Sequence, residues 1–201
     1  MVTQFETAVQ PTAVETYLAP IEKPSGLAMK LVYFMSRKMF GKVLTPLKVA
    51  YSRLPQSFTW FSFKISKLDK QLELPAETAM LVREQVARLN VCLFCIDIGR
   101  SFVIKASLDE KKFDAIDEYQ TSPLFTASDR AALDYVTELT RDKQMRPETF
   151  ARLAEHFSER QICEIAWLVA TEHYYNMVNI GLNIHSDMLC DITKGQKHKE
   201  R

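Results

Sequence analysis

Residues 82–101 read VREQVARLNVCLFCIDIGRS. Val82, Val86 and Leu89 recur at helical spacing and stop at Asn90, and Cys92, Cys95, Ile98, Phe102 and Ala106 carry the same period onward. Asn90 is a suitable N-cap for the second helix. The stretch therefore predicts two successive helices joined by a tight turn, with Cys92-Leu93-Phe94-Cys95 opening the second. Unpaired N–H groups and the helix dipole stabilise a thiolate there, and the thiolate is the nucleophilic form of cysteine. Cys95 lies one turn along the same face, close enough for a sulfenic acid to condense into a disulfide. Free cysteine is also among the most buried residue types. From spacing alone, an inert apolar pair is an equal alternative.

Outward from this stretch the period stays helical. On the N-terminal side, Leu27, Leu31 and Phe34 form one apolar stripe, and Phe58, Phe61, Ile65 and Leu68 form a second, flanked by Trp60 and Phe63. Pro75 fits a helix first turn, with Glu77 near its positive end. On the C-terminal side, residues 108–123 are acidic and irregular apart from a short turn around Phe113 and Ile116. Ser128 is read as the cap of a helix with Ala132, Leu133, Val136 and Leu139 inward. Pro147 opens a short helix through Phe150, Leu153 and Phe157. Ser158 with Gln161 is a capping box for the longest helix, which carries Ile162, Ile165, Ala166, Val169 and Met177 on one side and ends at Gly181. No alternating strand and no internal repeat interrupts the pattern, so the expected fold class is all-α.

Composition agrees. The 201 residues include only five glycines, against an average of about 7%, and no two are close enough to write a dinucleotide turn or a phosphate-cradling loop. Turn-rich β architectures lack their punctuation here as well. Apolar residues are 47% and charged residues 25%, ordinary for a globular chain. No signal peptide is visible, and the longest charge-free run, 173–186, is too short to span a bilayer. Four cysteines then suggest free thiols in a reducing compartment, so a cytoplasmic location is expected.

The net charge of +1 hides an asymmetry: residues 1–22 carry −3, residues 23–70 carry +9, and the remainder carries −5. A basic segment can meet anionic lipid, nucleic acid or an acidic partner. The preferred reading is an inter-subunit packing element, ahead of peripheral contact with an anionic membrane. No nucleic-acid partner is expected. The chain divides into a flexible tail (1–22), a basic, apolar helical extension (23–57), a main domain (58–190) and a polar C-terminal tail (191–201).

A zinc site would need a second close pair of ligands, and Cys163, Cys190 and the four histidines do not supply one. A thioredoxin-type motif follows a strand, and none precedes Cys92. Neither a metal nor a cofactor is expected. Residues 82–101, with SDRAALDYVTELTRD (128–142) and EHFSERQICEIAWLVATEHYYNMVNIGLNIHSD (155–187), resemble the carboxymuconolactone decarboxylase superfamily, specifically its alkyl hydroperoxidase D-like (AhpD-like) branch. The resemblance covers roughly residues 58–190. It implies an all-helical bundle, assembly into trimers or hexamers, and reduction of a small hydroperoxide. Cys95 would be the attacking thiol and Cys92 the resolving one, with a dihydrolipoyl or thioredoxin-like protein as reductant.

Such proteins also carry a Glu twelve positions before the first cysteine and a His four positions after the second, which relay the thiol proton. Here Met80 and Gly99 stand at those places, and neither can accept a proton. The candidate replacements are Glu84, one turn beyond Met80, and Arg100, next to Gly99. Arg88 precedes Cys92 by one turn, and Glu172 and His173 lie on the long C-terminal helix. The expected activity is a thiol peroxidase with Cys95, Cys92, Glu84 and Arg100 at its site. The alternatives are a non-catalytic or redox-sensing module of the same fold, and a lactone or decarboxylation activity.

Overall fold

The structure is a computed structural model that describes residues 15–199. Among the described residues there are nine α-helices and no strand: α1 (Leu27–Phe40), α2 (Phe63–Asp69), α3 (Ala76–Leu89), α4 (Leu93–Lys105), α5 (Glu110–Asp114), α6 (Ala127–Asp142), α7 (Pro147–Ala154), α8 (Glu159–Gly181) and α9 (Leu189–Lys199). Two short π-helical segments, Leu47–Tyr51 and Ser57–Ser62, lead from α1 to α2. No described helix is long and apolar enough to cross a membrane.

α3 is the central post, packed against α6, α8 and α4. Its Val82 and Val86 meet Val136 of α6 and Ile165, Leu168 and Val169 of α8 in one fully buried cluster. α4 sits between α3 and α9, and its Cys92, Phe94 and Cys95 share a second cluster with Phe40, Val49, Ile184 and Leu189. The N-terminal extension thus supplies part of the wall around the cysteines. Ser158 and Gln161 form the expected capping box. The cap of α6 is Thr126 rather than Ser128: its hydroxyl takes the Asp129 N–H, and the Asp129 carboxylate takes the Thr126 N–H at 2.9 Å.

Three expectations about the apolar stripes change. On α1 the buried residues are Met29, Tyr33, Ser36 and Phe40, so Leu27, Leu31 and Phe34 face solvent together with Met35 and Met39. Met29 and Tyr33 instead join Leu47, Ala50 and Tyr51. In the second stripe only Ile65 is fully buried, and Trp60, Phe61, Phe63 and Leu68 are exposed. Phe150 and Met177, named on the apolar periods of their helices, are also exposed.

The ends of the chain are held more firmly than a tail implies. Of the segment read as a flexible tail, 1–14 lies outside the described residues, while 15–22 runs along the helices as a strap. Tyr17 N–H donates to the Leu182 carbonyl (3.2 Å), Ile21 N–H donates to Lys48 (3.0 Å), and Arg53 reaches the Ala19 carbonyl (2.9 Å). Residues 191–199, read as a polar tail, continue α9 along α4. Within the basic segment, Lys42 pairs with Asp187 and Lys48 with Glu22.

Asp97 of α4 ties this C-terminal layer down. Its two carboxylate oxygens accept the N–H groups of Asp187 (3.0 Å), Leu189 (2.9 Å) and Cys190 (2.9 Å). Asp187 in turn accepts from Thr45 N–H and hydroxyl, both at 2.7 Å. Replacing Asp97 by Ala strands buried donors worth about 1–3 kcal/mol each when unpaired. We expect Asp97→Ala to cost about 2–5 kcal/mol, read as a fall in the urea midpoint. A change below about 1 kcal/mol, the size of a single ordinary hydrogen bond, would remove the anchoring role.

Candidate active site

The turn between α3 and α4 is built from backbone hydrogen bonds. Cys92 N–H donates to the Ala87 carbonyl at 2.9 Å and Val91 N–H donates to Arg88 at 2.9 Å, the two bonds of a Schellman end. The position between them needs left-handed backbone, and Val91 holds it at φ 56°. A β-branched side chain is rare there and strained. The turn places Cys92 at the N-cap of α4 and Cys95 three residues on, in its first turn. Asn90 is therefore the C-cap of α3 and not the N-cap of α4.

Cys92 and Cys95 are joined as a disulfide, with Cα atoms 5.3 Å apart. They are 1% and 6% exposed. The pair is buried among apolar side chains and is also bonded at a helix N-terminus. The amide nitrogen of Asn179, near the end of α8, donates to Cys95 Sγ at 3.4 Å.

Gly99 lies one turn beyond Cys95 on the same face. A Cβ added to it would sit 3.1 Å from Glu84 Oε2. The gap left by a missing side chain is thus filled by the Glu84 carboxylate, which reaches across from α3. Glu84 is 2% exposed. Its Oε1 accepts from Arg88 Nε at 2.8 Å, while its buried Oε2 has no hydrogen-bond partner among the described residues. Burial pushes the carboxyl above its usual range and Glu172 adds to the rise, against the pull of Arg88 and Arg100. A proton held by one oxygen of a buried carboxyl is what a relay needs.

The other candidates are placed elsewhere. Arg100 turns toward α5, pairing with Asp114, donating to the Glu110 carbonyl at 3.3 Å and lying over the Phe113 ring. Arg88 continues to Asp117 at 2.7 Å. Glu172 is buried between Arg83 (3.2 Å) and Asn176 (2.7 Å). Asn176 accepts from Asn90 (2.9 Å), which also reaches His173 Nδ1 (3.1 Å). Burial, with Lys143 nearby, lowers the His173 pKa, so at neutral pH the ring is an acceptor for Asn90. The free thiols Cys163 and Cys190 lie on α8 and α9. Sequence reading missed Asn176 and Asn179. Their signal was present: Glu172, Asn176 and Asn179 form a polar stripe at four- and three-residue steps along α8.

The site is thus a helical bundle with a disulfide at the N-terminus of α4 and, one turn further along that helix, a buried carboxyl from α3. The chain has the helical fold of AhpD-like and peroxidase-related proteins of known structure. It is similar to an uncharacterized peroxidase-related protein from Silicibacter sp. TM1040 (TM-score 0.77, 20% identity, 90% of this chain and 97% of that one). It also resembles an alkylhydroperoxidase AhpD core protein from Ralstonia eutropha JMP134 (TM-score 0.68, 16% identity, 81% and 87%). The debrominase Bmp8 has a TM-score of 0.76 at 19% identity over 90% of this chain and 97% of that one, and a cysteine-to-alanine variant of it is known in complex with 2,3,4-tribromopyrrole. In sequence, the chain is 29% identical to the uncharacterized protein YnjA of Escherichia coli K12, over 87% of this chain and 96% of that protein. No family model matches the chain.

The raised Glu84 carboxyl has a consequence for stability. Above the ordinary value of about 4.3, the unfolded chain has released a proton that the native protein still holds. Stability therefore falls as pH climbs from that value through the raised folded one. Glu84→Gln removes this dependence. In urea titrations from about pH 4.5 upward, just above the ordinary value, wild type should lose stability relative to Glu84→Gln as pH rises. A constant difference between the two would mean that Glu84 titrates normally.

Proposed function

We propose that this chain is a thiol oxidoreductase that reduces hydroperoxides through Cys95 and Cys92. The observation that carries the reading is the buried Cys92–Cys95 pair at the N-terminus of α4. In the reduced protein the Cys95 thiolate attacks the terminal oxygen of the hydroperoxide. An S–O bond forms as the O–O bond breaks, leaving a sulfenic acid and an alkoxide. Glu84, which faces Gly99 one turn from Cys95, gives the alkoxide its proton. Cys92 then attacks the sulfenic sulfur. The S–S bond forms and hydroxide leaves, taking up the Cys92 proton by way of the Glu84 carboxylate and departing as water. A dihydrolipoyl or thioredoxin-like reductant supplies two electrons and two protons to restore the dithiol, which suits a reducing compartment such as the cytoplasm. Arg100 acts on Glu84 through its charge rather than on the sulfur.

The likeness to peroxidase-related and AhpD-core structures supports the fold and the chemistry class. Burial of both thiols favours a second reading, a redox sensor that is oxidised without rapid turnover. The exposed face of α1, with Leu27, Leu31 and Phe34, fits a homo-oligomer of the trimer or hexamer kind and leaves the membrane reading second.

Cumene hydroperoxide added to reduced protein with an artificial dithiol decides the matter. We expect steady consumption by wild type, none by Cys95→Ser, and arrest at the sulfenic acid in Cys92→Ser. Glu84→Gln should lower the rate by about 10²-fold, the scale of one general acid. Consumption by Cys95→Ser at the wild-type rate ends the proposal, and a single stoichiometric oxidation without turnover selects the sensor. A brominated pyrrole run in parallel tests the class of ligand bound by the structural neighbour Bmp8. For the oligomer, Phe34→Glu should reduce the sedimenting mass; an unchanged mass rejects the α1 face as the contact.

A further inference from the structure

Asn179 stands where nothing in the peroxide chemistry above has used it. It lies near the C-terminal end of α8, is 4% exposed, and points its amide nitrogen at Cys95 Sγ, 3.4 Å away. Its main chain is fixed by a Schellman end: Ile184 N–H donates to the Asn179 carbonyl at 2.9 Å and Asn183 N–H donates to Ile180 at 3.1 Å, with Asn183 at φ 55°. Backbone on both sides therefore holds the amide against the sulfur, from Asn179 on α8 and from the Val91 turn before α4.

The other end of the same amide is as informative. Asn179 Oδ1 is buried and has no hydrogen-bond partner among the described residues. A buried, unpaired amide oxygen costs free energy, and it lies beside the sulfur that reacts. A thiolate needs donors, whereas a hydroperoxide brings an O–H that needs an acceptor. One asparagine amide offers both within a single rigid group.

We propose that Asn179 is a catalytic residue whose Nδ2–H holds the Cys95 thiolate and whose Oδ1 accepts the O–H of the incoming hydroperoxide, laying the terminal oxygen on the sulfur. This rests on the hydroperoxide reading and adds the residue that orients its substrate. The electron flow is unchanged: the S–O bond forms, the O–O bond breaks, the hydroxyl hydrogen stays with the sulfenic acid, and Glu84 supplies the alkoxide's proton. Asn179 gains and loses no proton. The groups that set the charge around Glu84 are Arg88 on its own helix, Arg100 from α4 and Glu172 from α8, and none of them takes over the contact with Cys95.

The test reads the thiol and the turnover separately in the full chain. Iodoacetamide labelling of reduced protein, followed at the Cys95 peptide by mass spectrometry across pH, reports the Cys95 pKa without any peroxide. Loss of one hydrogen bond to a charged atom should lower labelling near neutral pH by about tenfold in Asn179→Ala. Asn179→Asp keeps the volume and the acceptor but places a negative charge at the sulfur, so labelling should fall further. Cumene hydroperoxide kinetics add a second readout. Asn179→Ala should raise KM as well as lower kcat, because the substrate acceptor is lost with the thiolate donor. Asn179→Asp should lower kcat with a smaller change in KM.

Circular dichroism confirms that each variant is folded. If both folded variants label Cys95 with the wild-type pH profile, the thiolate role of Asn179 is overturned, whatever the turnover. If Asn179→Ala changes kcat alone, the substrate-orienting role is overturned. If wild type consumes no hydroperoxide yet the labelling profiles shift as expected, the thiolate role stands and the peroxide reading fails.

Discussion

The hydrogen bond from Cys92 N–H to the Ala87 carbonyl fixes where α3 ends and α4 begins. Everything at the site follows from that reversal. It makes Cys92 an N-cap and places Cys95 in the first turn, where the free N–H groups of a helix lie. The return of the chain also brings α4 back along α3, so that Gly99 comes to rest against Glu84. The cost is a valine in left-handed backbone at position 91. Strain at such a position persists only where the surroundings over-determine it, and here two packed helices do so.

The buried carboxylates show how one residue type is given opposite tasks. Asp97 accepts three backbone N–H groups and anchors the start of α9. Glu164 accepts the N–H groups of Glu73 and Leu74 ahead of α3 and pairs with Arg160, and these donors outweigh its burial and lower its pKa. Glu138, bonded by the Arg146 side chain, is lowered to about 2. Glu84 and Glu172 go the other way, both raised by burial. At Glu84, Arg88 meets one oxygen and no donor among the described residues meets the other, so burial wins and the carboxyl is raised. What sets Glu84 apart is its place: its free oxygen lies against Gly99, one turn from Cys95.

Helix content, the order of the helices and the two cysteines were legible because they depend on local period and spacing. The capping box at Ser158 and Gln161 was legible for the same reason. The assignments that failed each depended on what a residue meets. Leu27, Leu31 and Phe34 make as regular a stripe as Met29, Tyr33 and Phe40, and no count along the chain says which of the two faces the core. Asn90 has the chemistry of an N-cap, yet its side chain goes to Asn176 and His173 across the bundle. Arg100 is adjacent to Gly99 in sequence but points about a quarter-turn away on a helix, which takes it to α5.

The sequence by itself determined an all-helical chain with a Cys-x-x-Cys pair opening a helix, and a glycine rather than a proton acceptor one turn past Cys95. Those are properties of neighbours three and four residues apart, which helical geometry alone brings together. Only the tertiary structure decided that the Gly99 gap is filled by Glu84 and that the Cys95 sulfur is met by Asn179. Both partners arrive from other helices, Glu84 from α3 and Asn179 from α8. Their distances and burial depend on how α3, α4 and α8 pack, and no local rule contains that information.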